Sequence, residues 1–303
     1  MEYIVETNNL TKRFGKQKAL DNVSLKIAKG SILGLVGKNG AGKTTFMRIL
    51  AGLQFPTEGD FTLWGTNCAD KEITAKRKRM GCLIEQPGIF EDLTAYGNLK
   101  VQYINLGMPS YDGIGDILKQ VGLENTGKKL AGRFSLGMRQ RLGIAIAMAG
   151  SPDLLILDEP INGLDPEAIV EIREMLLKLN REKGTTILIS SHILTELEHL
   201  ATEYAFIDKG SIVQQISAEE MRNKCRRSTL LTVTDTKAAC RILDDIPVEY
   251  EVKEEGKLAV YGDFKIGDFV LELSKTGGEL VESSVTNENL ESYYLEIIGG
   301  KND

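Results

Sequence analysis

The segment Gly37-Lys38-Asn39-Gly40-Ala41-Gly42-Lys43-Thr44 follows the spacing G-x-x-x-x-G-K-[ST], with a second hydroxyl at Thr45. It constrains the fold because its flanks must cooperate with it. The aliphatic residues 31–36 ahead of it predict a buried strand, and residues 45–52 behind it carry helical spacing, with Gly52 as a C-terminal stop. A strand entering and a helix leaving a glycine-rich loop is an α/β arrangement. In it, successive backbone amides converge on phosphate oxygens at the positive end of a helix. The Lys43 ammonium then reaches the β- and γ-phosphates of a nucleotide, and the Thr44 hydroxyl is placed to ligate Mg2+. A glycine-rich turn matching by chance would lack these flanks.

Residues 154–159, Leu-Leu-Ile-Leu-Asp-Glu, are the second informative stretch. Four aliphatic residues predict a buried parallel strand, and two carboxylates appear where it ends. Burying adjacent carboxylates is costly unless they serve a cation or a proton transfer. Beside a phosphate loop, Asp158 is suited to holding Mg2+. Glu159 is then free to polarise a water for attack on the γ-phosphate. Residues 162–166 turn the chain into an amphipathic helix with Pro166 at an early position. Residues 185–190 predict another strand, which delivers Ser191 and His192. A lone histidine is more often structural, but a place just past a strand end favours a role in the same site; His199 reads as surface.

The remaining elements are weaker signals. Residues 3–6 and 20–27 alternate as strands, and Phe14 between them reads either as a strand-end hydrophobe or as a flat surface for an adenine ring. A strand over 80–84 delivers Glu85-Gln86-Pro87-Gly88, where Pro87 and Gly88 force a loop. Glu85 thus also sits at a strand end, where ligands are commonly met in α/β folds. Residues 94–148 read as mostly helical, with Thr94 as an N-cap and helices over 95–106, 111–121 and 142–149. Ser135 and Gly137 at the head of that last helix form a second possible anion site.

Taken in this order, the first ~215 residues resemble the nucleotide-binding subunit of an ATP-binding-cassette (ABC) transporter, within the size of one domain. The phosphate loop matches Walker A, and residues 154–159 match Walker B with its glutamate. Ser135-Leu136-Gly137-Met138 resembles the signature motif L-S-G-G-Q, residues 163–165 the D-loop with Asp165, His192 the switch histidine, and Phe14 the adenine-stacking aromatic. The resemblance implies a P-loop NTPase core: a mainly parallel sheet, an antiparallel β subdomain and a helical subdomain over about residues 90–150. It also implies ATP and Mg2+ as cofactors, with Thr44, Glu85 and Asp158 on the metal. Two such domains pair head to tail, so that Ser135, Gly137 and Met138 contact the nucleotide of the partner chain; the partner is a second copy or a different ATPase.

Two departures stand out. The signature carries Leu136 for its first glycine and Met138 for its glutamine, and Glu85 occupies the position where most of the family has the Q-loop glutamine. Gln86 serves instead if the loop is shifted by one. A glutamate there adds a full negative charge near the metal. The wording around Glu85 and Ser135 resembles bacitracin-resistance and lantibiotic-immunity ATPases, which implies export of a peptide antibiotic by a separate permease.

Composition bounds the rest. A net charge of −6 leaves no basic footprint for nucleic acid. Residues 217–303 hold 11 Lys and Arg against 18 Asp and Glu, an acidic tail on a nearly neutral body, and so predict a second domain after residues 1–216. Its order β-α-β-β-α-β predicts a small ferredoxin-like α+β unit. Cys68, Cys82, Cys225 and Cys240 lack metal-ligand spacing and read as reduced thiols. No basic n-region opens the chain, and no apolar run reaches the ~18 residues of a spanning helix. The expected place is the cytoplasmic face of a membrane, reached through the permease. Import, or another exported cargo, uses the same engine. A non-transport ABC ATPase of translation or repair would bring two cassettes, a long coiled coil or a basic surface, and a metabolic P-loop kinase would lack the signature motif.

Overall fold

The computed structural model describes residues 2–192, 194–225, 228–262, 264–286 and 290–299. The chain divides into two compact units, one ending at Ala218 and the other starting at Glu219.

In the first unit, β1 (Tyr3–Phe14), β2 (Gln17–Val23) and β3 (Lys26–Ala28) pair antiparallel. With β5 (Glu58–Leu63) and β6 (Thr66–Asn67) they form a sheet in the order β2-β1-β5-β6, β3 lying on β1. Alternation suggested strands over 3–6 and 20–27. The structure instead extends β1 to Phe14 and divides 20–27 between two strands. Polar residues inside β1 hid its length, because neighbouring chain satisfies them: the Thr7 hydroxyl donates to Val23 O at 3.1 Å and accepts from Leu25 N at 2.8 Å.

The second sheet holds β4 (Ile32–Val36), β7 (Met80–Leu83), β8 (Leu154–Asp158), β9 (Thr186–Ser191), β10 (Glu203–Asp208) and β11 (Ser211–Ser217). Its order is β11-β10-β4-β9-β8-β7, parallel except for β11 at one edge. Every residue of β4, β8 and β9 is buried, which is why these strands read as mostly aliphatic runs. Helix α1 (Lys43–Leu50) buries Phe46, Met47, Ile49 and Leu50 in one core with Leu33, Leu35, Ile156 and Leu188 of this sheet and Val5, Phe61 and Leu63 of the other. Each such side chain contributes roughly 1.5–3 kcal/mol on burial. Short helices α2 (Ile73–Arg77) and α7 (Leu194–Glu198) and the long α6 (Pro166–Lys183) complete the layers, α6 turning Ile172, Leu176 and Leu179 inward.

Between β7 and β8 stand α3 (Ala95–Asn105), α4 (Gly113–Gln120) and α5 (Leu136–Met148). Thr94 caps α3, its hydroxyl accepting from Gly97 N at 3.0 Å. Helix α5 starts six residues earlier than its apolar run implied, because Ser135 caps it by accepting from Met138 N at 3.2 Å.

The second unit continues α8 (Ala218–Lys224), then β12 (Ser228–Val233), α9 (Thr236–Asp244), β13 (Glu249–Glu254), β14 (Lys257–Tyr261), α10 (Ile266–Lys275), β15 (Leu280–Thr286) and α11 (Leu290–Gly299). The antiparallel order β13-β14-β12-β15 is the ferredoxin-like arrangement. Leu231, Val233, Leu258, Val260 and Phe269 pack with Ala239, Leu243 and Leu273 into its own core.

Candidate active site

Because β4, β9 and β8 are adjacent and parallel, their C-terminal ends open at one edge of the sheet, with Val36 beside Ser191 and Ser190 beside Asp158. From these ends come the phosphate loop, His192 and the Asp158-Glu159 pair. This is where ligands bind in open α/β sheets.

The loop closes on glycines for two reasons. Gly42 has φ 113°, a conformation side chains resist, and a Cβ there would meet Ala19 O at 2.6 Å. At Gly37 a Cβ would meet Ile207 O at 2.5 Å. Gly42 also stands at the N-cap of α1 without a side-chain cap, so the first-turn amides face the loop. Lys38, Asn39 and Gly40 form its exposed rim, Ala41 is buried beneath, and Thr45 is half-buried. The Lys43 ammonium, 5% exposed, donates to Gly37 O at 2.6 Å and Lys38 O at 3.3 Å.

Thr44 Oγ1 donates to Asp158 Oδ2 at 2.7 Å, and Ser190 Oγ donates to Asp158 Oδ1 at 2.6 Å. The same Ser190 oxygen accepts from Glu159 N at 2.9 Å. Glu159 has φ 49°, a strained value for a non-glycine residue, and such values persist where the surroundings over-determine them. Its Oε2 meets His192 Nδ1 at 2.6 Å and the His192 amide at 3.3 Å. Its Oε1 lies 3.4 Å from Lys43 Nζ and is buried without a hydrogen-bond partner. One carboxylate oxygen is thus fixed by His192 and the other faces the Lys43 ammonium without a hydrogen bond.

These residues fit ATP and a divalent cation. Thr44 and Asp158 set hard oxygen donors side by side, as Mg2+ prefers. Among the described residues no three His, Cys, Asp or Glu side chains form a metal cage. A cavity of about 750 Å³ faces the group, lined by Thr44, Glu85, Gln86, Asp158 and Glu159 and also by Leu136 and Gln140.

The other sequence-derived residues stand apart from Lys43 and Glu159. Glu85 borders the cavity, but its carboxylate is turned onto the Arg48 guanidinium instead of onto Thr44 and Asp158. Ser135 spends its hydroxyl on capping α5. Asp165 caps α6, accepting from Ala168 N at 2.8 Å. Gly137 and Leu136 pack against Leu164 and Gly163, so the signature and D-loop segments touch within one chain. Met138 Sδ lies 3.7 Å from Lys129 Nζ. Phe14 is 50% exposed at the end of β1, with the Lys12 ammonium 5.2 Å from its ring centroid. His199 is exposed. Sequence reasoning missed Ser190 and Arg48. The only signal for Ser190 was a polar residue ending an aliphatic strand.

Residues 20–162 match the ABC transporter family. The chain is 41% identical to a bacitracin transport ATP-binding protein of Enterococcus faecalis, over 99% of this chain and 98% of that protein. A lantibiotic transport ATP-binding protein of Streptococcus pyogenes is 46% identical over 69% of this chain and 89% of its own length. Among solved structures, a dimeric ATP-binding cassette in a post-hydrolysis state, bound to ADP and Pi, matches with a TM-score of 0.65 and 27% identity, over 71% of this chain and 98% of that one. A phosphate loop, a hydroxyl–carboxylate pair and a histidine-held glutamate at one sheet edge, together with these likenesses, place the chain in the ABC transporter family, among its ATP-binding subunits.

Proposed function

We propose that this chain is the ATPase motor of a transporter, binding MgATP as one of a pair and driving a separate permease that carries a peptide antibiotic of the bacitracin or lantibiotic kind. The observation that carries the hydrolytic part is Glu159, held at Oε2 by His192 and facing the Lys43 ammonium with its buried Oε1, which is freed once Lys43 turns to a nucleotide phosphate. On nucleotide binding, the Lys43 ammonium exchanges the Gly37 and Lys38 carbonyls for phosphate oxygens. Thr44 and Asp158 would hold Mg2+, which would supply charge neutralisation there when bound. Glu159 Oε1 orients a water and accepts its proton, which typically contributes 10²–10⁴-fold. His192 keeps Oε2 occupied, so the water finds one acceptor in one place.

Ser135 and Gly137, outside the Lys43–Glu159 group, suit contact with a nucleotide held by a second ATPase chain. Among the described residues no helix is long and apolar enough to cross a membrane; work through a permease at the cytoplasmic face is supported by the relatives' names as transport ATP-binding proteins. A groove of about 400 Å³ with a mixed lining that includes Leu53, Arg77, Pro87, Gln102 and Ile146 offers a permease segment a seat, with Phe55 and Phe90 exposed elsewhere on the unit. The relatives' names support the cargo.

The test is to isolate Glu159→Gln chain from membranes in ATP. Recovery of a multi-spanning permease, and bacitracin or lantibiotic sensitivity in cells carrying the variant, are the expected results. Ribosomes or nucleic acid in its place would overturn the transport reading; a permease with unchanged antibiotic sensitivity would overturn the cargo alone.

A further inference from the structure

Glu85 brings a third acidic group to the cavity that already holds Asp158 and Glu159. Three carboxylates around a site for a polyanionic nucleotide repel both it and one another, so the charge of Glu85 needs a partner. Arg48 is that partner in the structure: its guanidinium forms an ion pair with the Glu85 carboxylate. The pair is placed where it bears on the site. Arg48 lies four residues after Thr44 on α1, so the two share one face of the helix that the phosphate loop starts.

The loop that carries Glu85 is itself clamped. Glu85 has φ 64°, and two residues on, Pro87 is seated against Gly143 of α5 so tightly that a Cβ on the glycine would lie 2.6 Å from the proline Cβ. Gln86 and Pro87 border both the nucleotide-side cavity and the mixed groove outside it. The loop is therefore the wall between the two, and Arg48–Glu85 ties that wall to the phosphate-loop helix.

We infer that Arg48 is a positioning residue that neutralises Glu85 and holds it against α1, so that an acidic residue at this loop position is compatible with nucleotide binding. This rests on the ATP-binding reading of the site and names the charge partner that the reading requires. Without Arg48, Glu85 acts as a free negative charge facing the nucleotide; without Glu85, Arg48 is a free positive one.

The test is a double-mutant cycle on the full chain, read as mant-ATP affinity in EDTA by fluorescence, where no metal masks the charges. R48Q should weaken binding about tenfold, because Glu85 is then neither paired nor held against α1; E85Q should leave it within about twofold, and R48Q/E85Q should return to within about twofold of the parent, well short of the roughly tenfold loss to which independent effects would multiply. R48K, which keeps the charge, should restore most of the loss, and circular dichroism should show all four variants folded. A double variant equal to the product of the single effects, or an R48Q chain that binds as the parent does, would overturn the inference. A parent chain that does not bind mant-ATP would instead overturn the ATP-binding reading on which it rests.

Discussion

The exits of β8 and β7 are built alike and end differently. Each parallel strand delivers a glutamate in left-handed backbone conformation, Glu159 at φ 49° and Glu85 at φ 64°. Glu159 has a side chain 21% exposed, with His192 on one oxygen and Lys43 near the other. Glu85 is 58% exposed and paired with Arg48. The backbone device is shared, and the neighbours decide the task. A carboxylate with one oxygen pinned by His192 and the other facing the ammonium that a phosphate would draw away is suited to take a proton from water, whereas one neutralised by a guanidinium at the cavity rim is suited to shape the field around it.

Exchanging charge for amide at both positions is the strongest way to break this comparison. Glu159→Gln should reduce ATP turnover by about 100-fold or more while nucleotide still binds. Glu85→Gln should leave turnover within about tenfold and instead shift its Mg2+ dependence, since it alters the charge near the metal and leaves the water acceptor in place. Steady-state hydrolysis over a Mg2+ titration separates the two, and equal losses would erase the distinction.

A second test concerns what holds the β8 exit. Ser190 is fully buried and bonds both Asp158 Oδ1 and the Glu159 amide. Ser190→Ala leaves both without that partner, which should cost about 1–3 kcal/mol in denaturant unfolding. Turnover should fall as well, because the Asp158-Glu159 turn loses its tie to β9. Unchanged stability would mean that a water replaces the hydroxyl.

The smallest effect isolates the backbone at the β7 exit. Glu85→Gly and Glu85→Ala remove the same carboxylate, but only glycine adopts φ 64° freely. The glycine variant should be the more stable by about 1 kcal/mol. Equal melting curves would show that the loop relaxes when the Arg48 pair is lost.

Much of this was legible in residue order, and the limits are physical. The phosphate loop was visible because its chemistry is local: glycines, Lys43 and Thr44 act through adjacent backbone. Strands β4, β8 and β9 were visible because burial on both faces makes them mostly aliphatic, with polar residues confined to their ends. Strand β1 was read too short, because Thr7 and its polar neighbours find partners in β2, β3 and β5, far along the chain. Helix α5 was begun too late, because Ser135 and not the apolar run starts it.

By itself, then, the amino-acid order determined a P-loop α/β core, the residues at its three active strand ends, and a separate acidic unit of ferredoxin-like topology. Tertiary structure alone decided which acid meets which cation. His192 and Lys43 stand at Glu159, Ser190 binds Asp158, and Arg48 takes Glu85, pairs separated by 33, 116, 32 and 37 residues in sequence. No local pattern encodes such pairings. They follow from the order in which parallel strands lie in the sheet, and from the loop that Pro87 and Gly143 press into place.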